Sequence, residues 1–266
     1  MKDGFGRQID YLRISITDRC NLRCVYCRPV QDFRLLRHED ILSFEEITEV
    51  ARVAARLGFR KLRITGGEPL VRRNVVRLVE LLADLPGIEE LTMTTNGTLL
   101  SRYARALATA GLQRVNVSLD AIRPERYAEL TGGGDVRDVL AGIAAAREAG
   151  LTPVKLNCVV EESSAEADAR DVAAFAAREG CEARFIRRMV METGHFAVVE
   201  GGSGGDCERC NRLRLTSDGR IMPCLFCDVA FGIRELGAEE AILRAVREKP
   251  EAGGPCTHGW MAGIGG

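Results

Sequence analysis

Cys20-Asn21-Leu22-Arg23-Cys24-Val25-Tyr26-Cys27 gathers three thiols on one short stretch, spaced C-x3-C-x2-C, shortly after the apolar segment Leu12-Arg13-Ile14-Ser15-Ile16. Three thiolates so close can hold three irons of a cubane cluster. Such clusters usually take four cysteines, so the fourth iron is left open to a small molecule. A structural zinc site is the alternative, but zinc closes four positions and favours paired C-x2-C turns.

The surrounding chain suits a soluble enzyme. Its 266 residues, 46% of them hydrophobic, are enough for one sizeable α/β domain with an appendage. The formal charge of −1 gives no bulk attraction to nucleic acid or to an anionic membrane. The apolar runs are too short to span a bilayer, and the start, Met1-Lys2-Asp3-Gly4-Phe5-Gly6-Arg7, lacks a signal-peptide core. A cytoplasmic location is expected. There, ten cysteines read as metal ligands sooner than as disulfides. Seven fall in two sets: Cys20, Cys24 and Cys27, then Cys207, Cys210, Cys224 and Cys227. Cys158 and Cys181 sit in or beside apolar segments and read as buried, inert thiols; Cys256, in a glycine-rich tail, is undecided.

Outward from the first set, short β-branched runs alternate with segments of helical period. Strands are expected at 12–16, 61–65, 90–94, 114–119, 153–160 and 183–187. Helices are expected at 43–57, opened by a Ser43/Glu46 capping box, then from Asn74 toward Leu85, and at 101–110, 124–130, 135–149 and 165–178. Six βα units without a seventh or eighth predict an α/β fold of the partial (β/α)6, TIM-like barrel type, with its loops on the C-terminal face of the strands. Residues 1–190 form this barrel. Residues 191–206 read as a glycine-rich linker around Glu200-Gly201-Gly202-Ser203-Gly204-Gly205-Asp206. Residues 207–266 form a small C-terminal cysteine-bearing module, with a hairpin around Ser217-Asp218-Gly219 and a helix at 238–247.

Several groups converge on the expected catalytic face. Thr65-Gly66-Gly67-Glu68-Pro69 follows the second strand. Its glycines allow close backbone approach, and Glu68 can accept bonds from an ammonium. Thr94-Thr95-Asn96-Gly97 and Ser118-Leu119-Asp120 supply small polar groups at strand ends, although either could be an ordinary helix cap. Arg13, Lys61, Arg63, Lys155 and Arg184 form a basic set. Alternation puts Lys61 and Arg63 on one side of their strand, with Leu62 and Ile64 on the other. Rim ion pairs are one reading; a polyanion site is the other, because unpaired buried charge is costly. Cys207-Glu208-Arg209-Cys210 with Cys224 and Cys227 taken alone is a zinc-ribbon pattern.

The cysteine stretch with Tyr26, followed by Gly66-Gly67-Glu68-Pro69, resembles the radical S-adenosylmethionine (SAM) superfamily. Together with Cys207, Cys210 and Cys224 around Asn211-Arg212-Leu213-Arg214, it resembles molybdenum cofactor biosynthesis protein A, the GTP 3′,8-cyclase family. The likeness also takes in Asp10-Tyr11-Leu12-Arg13, Val115-Asn116-Val117-Ser118, Arg184-Phe185-Ile186 and the terminal Gly265-Gly266. It implies two [4Fe-4S] clusters, one on Cys20, Cys24 and Cys27 and one on Cys207, Cys210 and Cys224, with SAM as cofactor. It implies SAM contacts from Tyr26, Gly66, Gly67, Glu68, Thr94, Asn96, Ser118 and Met189. Arg13, Lys61, Arg63, Lys155 and Arg184 match positions that hold the triphosphate of GTP and neighbouring groups. Arg212 and Arg214 match those lining the second-cluster side, where Gly265 and Gly266 reach in. The implied reaction converts GTP into 3′,8-cyclo-7,8-dihydro-GTP through a 5′-deoxyadenosyl radical that takes hydrogen from the ribose 3′ carbon. The implied partners are GTP, a reductant such as flavodoxin or ferredoxin, and a downstream pterin synthase, with a homodimer as a candidate assembly and with neither nucleic acid nor membrane.

Two departures bear on the substrate. The stretch between the sixth strand and Cys207 is shorter than in the family. Cys227 could add a fourth ligand and close the second cluster. A related radical enzyme acting on another substrate is therefore the runner-up, although only about ten residues precede the first strand, too few for a leader-peptide domain. A non-catalytic metal-binding module is the reading from another class.

Overall fold

The computed structural model describes residues 1–27, 35–190, 193–194, 196–256 and 264. Six parallel strands lie side by side in chain order: β1 (Tyr11–Ser15), β2 (Lys61–Thr65), β3 (Glu90–Thr95), β4 (Arg114–Ser118), β5 (Lys155–Val160) and β6 (Glu182–Arg187). Between them run α1 (Phe44–Arg56), α2 (Val75–Ala83), α3 (Leu100–Thr109), α4 (Pro124–Thr131), α5 (Val136–Glu148) and α6 (Ala167–Arg178). The sheet is open at β6, as a partial barrel requires.

Local chemistry fixes most boundaries. At the start of α1, the Ser43 hydroxyl accepts from Glu46 N at 3.1 Å while the Glu46 carboxylate accepts from Ser43 N at 2.7 Å. That capping box satisfies two otherwise orphaned donors. The helix then buries Ile47, Val50, Ala51 and Ala54 at helical spacing against the sheet. Asn74 does precede α2, but in a left-handed conformation and without a side-chain cap bond.

The strands explain themselves by alternation. Leu12, Ile14, Leu62, Ile64, Leu91, Met93, Val115, Val117, Leu156 and Cys158 are buried in the main core, each worth about 1.5–3 kcal/mol when it is a large aliphatic. Their neighbours in sequence point to the other side of the sheet. Cys158 is thus the buried core thiol the sequence suggested; Cys181 packs half-buried against the same core, and Cys256 is buried in a smaller apolar cluster.

Two expectations change in the C-terminal third. The described part of residues 207–266 does not stand apart from the sheet: β7 (Arg212–Leu215) pairs parallel to β1, and β8 (Arg220–Met222) and β9 (Phe231–Gly232) continue it antiparallel, giving the order β6-β5-β4-β3-β2-β1-β7-β8-β9. The Asn211 carbonyl accepts from Asp10 N and Tyr11 N at 3.2 Å, and its amide donates to Asp10 Oδ1 at 2.6 Å, locking the two strands at their start. The helices α7 (Ile233–Leu236) and α8 (Ala238–Arg247) follow, α8 burying Ala241, Ile242, Ala245 and Val246. The glycine-rich segment, expected to be a flexible linker, is folded against β6. Glu200 exchanges backbone bonds with Phe185 at 3.0 and 3.1 Å, and Val199 N donates to Gly204 O at 2.8 Å. Its glycines serve close packing, since a Cβ on Gly201 would lie 2.7 Å from the Ala183 carbonyl.

Candidate active site

The polar side of the sheet carries a lattice of cations. Strand register aligns Arg214, Arg13, Arg63, Thr92 and Arg114 across β7, β1, β2, β3 and β4. Toward the start of the strands lie Arg212, Tyr11, Lys61 and Glu90, and toward β6 come Asn116, Lys155 and Glu182. Two of the cations are neutralised: Lys155 pairs with Glu182 at 2.8 Å and Arg114 with Glu90. Arg63 instead donates to Thr92 Oγ1 at 3.2 Å and lies over the Tyr11 ring, 5.4 Å from its centroid. Arg212 donates to the Ser203 carbonyl at 3.4 Å.

Burial, and after it neighbouring guanidinium groups, holds Arg13, Arg184 and Arg214 below the ordinary arginine range. Arg13 is lowered by burial and then by Arg214; Arg184 by burial and then by Arg63 and Arg114; Arg214 falls to about 10 through burial and Arg212. Tyr11 Oη, Thr94 Oγ1, Asn116 Nδ2 and Arg184 Nε are buried without a protein partner among the described residues. Crowded cations beside orphaned polar atoms fit a polyanionic, hydrogen-bonding ligand, which would relieve both costs.

The first cysteine set follows β1 and is pinned from several sides. Gly66 and Gly67 do allow a close approach, but to the chain itself: a Cβ on Gly67 would meet Arg19 O at 2.4 Å, and one on Gly66 would meet Thr17 O at 2.7 Å. Gly67 N donates to Thr17 O at 2.7 Å and Glu68 N to Arg19 O at 2.8 Å. The buried Glu68 carboxylate is a brace between strand ends, accepting from Asn96 N at 2.6 Å, Thr95 Oγ1 at 2.8 Å and Leu70 N at 2.9 Å. Burial raises it to about 7 despite those donors. The Asn96 amide reaches Asn21 Oδ1 at 2.9 Å and Cys20 Sγ at 3.8 Å. Tyr26 donates to Asp120 Oδ2 at 2.5 Å, and Asp120 is held in turn by Val159 N. The end of α4 completes the clamp, with Thr131 O and Leu130 O accepting from Arg23 N and Val25 N. The thiols feel one another: burial, then Cys27, Asp120 and Cys20, push Cys24 up to about 12. Three mutually repelling thiols on a braced loop are a donor set suited to a cationic iron–sulfur core.

The second set lies at the opposite end of the sheet, not on the same face as the first. Cys207 and Cys210 precede β7, whose start is level with the start of β1, while Cys224 follows the antiparallel β8 back to that end. Arg13 and Arg214 therefore stand between the two sets. Burial pushes the Cys210 thiol up, but Lys249 and Arg212 bring it to about 7. Phe226 N donates to Cys224 Sγ at 3.4 Å. The Cys227 thiol is turned onto backbone, donating to Cys224 O at 3.4 Å.

Thr94, Asn96 and Ser118 stand at or near strand ends on the first-set side as expected. Met189 does not share that position; it packs on the apolar cluster of Met222, Leu225, Phe226, Cys256 and Ile264. Gly265 and Gly266 lie outside the described residues. Sequence reasoning passed over Tyr11, Arg114 and Asn116, although they share the strand parity of Arg13 and Ser118. It also passed over Asp120 as the Tyr26 partner, which only the fold brings near.

The model of the radical SAM superfamily matches residues 14–176. A GTP 3′,8-cyclase from Moorella thermoacetica is 42% identical over an alignment of 323 positions that takes in all of both chains. The chain belongs to the GTP 3′,8-cyclase family of the radical SAM superfamily. A second cyclase, from Alkaliphilus metalliredigens, is 39% identical over 94% of this chain and 89% of its own length. The alignment to the Moorella cyclase is longer than this family member's 266 residues, so part of that relative has no counterpart here. Among solved structures, native anSMEcpe with bound AdoMet and peptide superposes with a TM-score of 0.63 at 16% identity, over 91% of this chain and 81% of its own. Streptococcus suis SuiB bound to its precursor peptide gives 0.55 at 19% identity over 70% and 40%. At these identities the likeness concerns the fold.

Proposed function

We propose that this family member converts GTP to 3′,8-cyclo-7,8-dihydro-GTP, the entry step of molybdenum cofactor biosynthesis, using two [4Fe-4S] clusters and SAM. The observation that carries the reading is the arginine lattice of Arg13, Arg63, Arg184, Arg212 and Arg214 between two cysteine sets at opposite ends of the strands. Cys20, Cys24 and Cys27 would hold the first cluster, and Cys207, Cys210 and Cys224 the second. Once bound, the first cluster and SAM would supply the radical chemistry that begins the reaction.

The chain's own residues do the rest. Tyr26 and Asn96 fix the cysteine loop to the ends of β4 and β3, and Gly66, Gly67 and Glu68 fix it to the end of β2. Their backbone edge, with Thr94 and Ser118, offers acceptors and donors for the amino acid and ribose parts of SAM. Arg63 and Arg184 present planar forks to the triphosphate, with Arg13 and Lys61 beside them. Lys155, already paired with Glu182, acts by holding the rim. Arg212 and Arg214 face the base at the second-cluster end, the side to which the family likeness also assigns Gly265 and Gly266. Met189 supports the same end through the apolar cluster.

A low-potential donor such as flavodoxin or ferredoxin supplies the electron, and a pterin synthase consumes the product. Among the described residues no helix is long and apolar enough to cross a membrane; a cytoplasmic site of action and a homodimer complete the proposal. The test is anaerobic incubation of the iron-loaded protein with SAM, GTP and dithionite. Both 5′-deoxyadenosine and a cyclised nucleotide are expected. Abundant 5′-deoxyadenosine without nucleotide product would overturn GTP as substrate. Cys24→Ala should abolish both products, whereas Cys210→Ala should keep SAM cleavage and lose the nucleotide.

A further inference from the structure

Lys249 follows α8 and is buried to within 3% of full enclosure. Its ammonium donates to Arg212 O at 2.8 Å and to Pro223 O at 2.6 Å. These carbonyls belong to the residue two after Cys210 and the residue one before Cys224. Among the described residues no carboxylate pairs with Lys249. A buried ammonium satisfied by carbonyls alone is an expensive arrangement unless an anion lies near it.

A second cation braces the same set in a different way. Arg7, also buried, donates to Cys207 O at 2.8 Å, to Glu251 O at 2.7 Å and to Pro250 O at 2.6 Å. Its charge, however, is matched by Asp3 at 2.6 Å. The two cations thus reach the backbone beside all three cysteines, but only Lys249 brings an uncompensated positive charge.

We infer that Lys249 is the positioning residue of the second cysteine set: it ties the Cys210 and Cys224 turns together and sets its positive charge against the anionic, thiolate-held cluster. The inference rests on the reading that Cys207, Cys210 and Cys224 hold a cluster. Net charge and nearby hydrogen bonds set the potential of such a centre, so the ammonium favours its reduced form. Arg7 supplies only the tie.

The test uses full-length chain in which Cys20, Cys24 and Cys27 are all changed to Ala, so that iron reports the second set alone. Iron per chain, resistance to a chelator and the midpoint potential of the reduced cluster's spectroscopic signal are measured. Lys249→Met should weaken iron retention roughly 10–100-fold. Lys249→Gln keeps a donor without the charge and should shift the potential to more negative values. Lys249→Arg should restore the parent potential, and Arg7→Met combined with Asp3→Asn, which removes the tie together with both of its charges, should loosen iron without moving the potential of what remains. Equal potentials in the Gln, Arg and parent proteins would overturn the inference even if the Met variant fails to fold. Absence of iron from the parent second set would overturn the cluster reading itself, and the inference with it.

Discussion

At Gly67 the exit of β2 crosses the backbone of residues 17–19 so closely that a methyl group would land 2.4 Å from a carbonyl oxygen. Backbone cannot yield as a side-chain tip can, so Gly67→Ala should destabilise the chain by about 1–3 kcal/mol. It should also loosen the first cysteine loop; denaturant unfolding and iron per chain check both, and unchanged values would sink the account. Glu68 makes a pH prediction. Burial holds its carboxyl at about 7 against an ordinary 4.5, so the folded chain keeps a proton that the unfolded chain releases. Stability contributed at this site is present below about 4.5, is lost as pH rises to about 7, and then levels off. Glu68→Gln should remove that slope from the denaturation midpoint, and should cost about 1–3 kcal/mol at low pH because an amide cannot accept all three bonds. Parallel pH profiles for parent and variant would contradict this. The sequence told that Gly66, Gly67 and Glu68 matter. It did not tell that their first partners are Thr17, Arg19, Thr95 and Asn96, because those contacts join loops from three separate βα units.

The strands show how far alternation carries. Arg13, Arg63, Arg212 and Arg214 interleave with Leu12, Ile14, Leu62, Ile64, Leu213 and Leu215, so which side faces the core is legible from residue type alone. Helix starts were equally legible where a cap is chemical, as at Ser43, and less so where the backbone alone turns, as at Asn74. Which cations are spare is a property of register. Lys155 meets Glu182 and Arg114 meets Glu90 across strand pairs, while Arg63 meets Thr92 and Tyr11. Replacing a spare cation should therefore act in opposite directions on stability and on substrate. Arg63→Met should leave the substrate-free protein equally or more stable, since it removes like-charge repulsion. It should raise the KM for GTP roughly 10–100-fold, as expected for losing a charge-assisted contact of about 1.5–3 kcal/mol. Calorimetry without nucleotide and steady-state kinetics separate the two effects. A fall in stability with KM unchanged would assign Arg63 to structure.

Over the whole molecule, the placement of the second cysteine set depends on one joint. β7 enters the sheet beside β1, some two hundred residues earlier in the chain, through Asn211 and Asp10. Asn211→Ala should cost about 0.5–1.5 kcal/mol by removing the partner of the half-buried Asp10 side chain. Amide exchange at Tyr11, Arg212 and Leu213 should quicken with it, while that in β3 and β4 is unchanged; uniform protection would show the joint is not local. The sequence by itself determined the six βα units, the polar and apolar sides of each strand, and the ligand types, because these follow from residue chemistry and from periods of two and 3.6 residues. Only the tertiary structure decided that the glycine-rich segment packs on β6, that β7, β8 and β9 complete the main sheet, and that the two cysteine sets face each other across the arginines. Edge pairing of that kind joins distant backbone through hydrogen bonds every residue can make, so no local pattern specifies which edge is chosen.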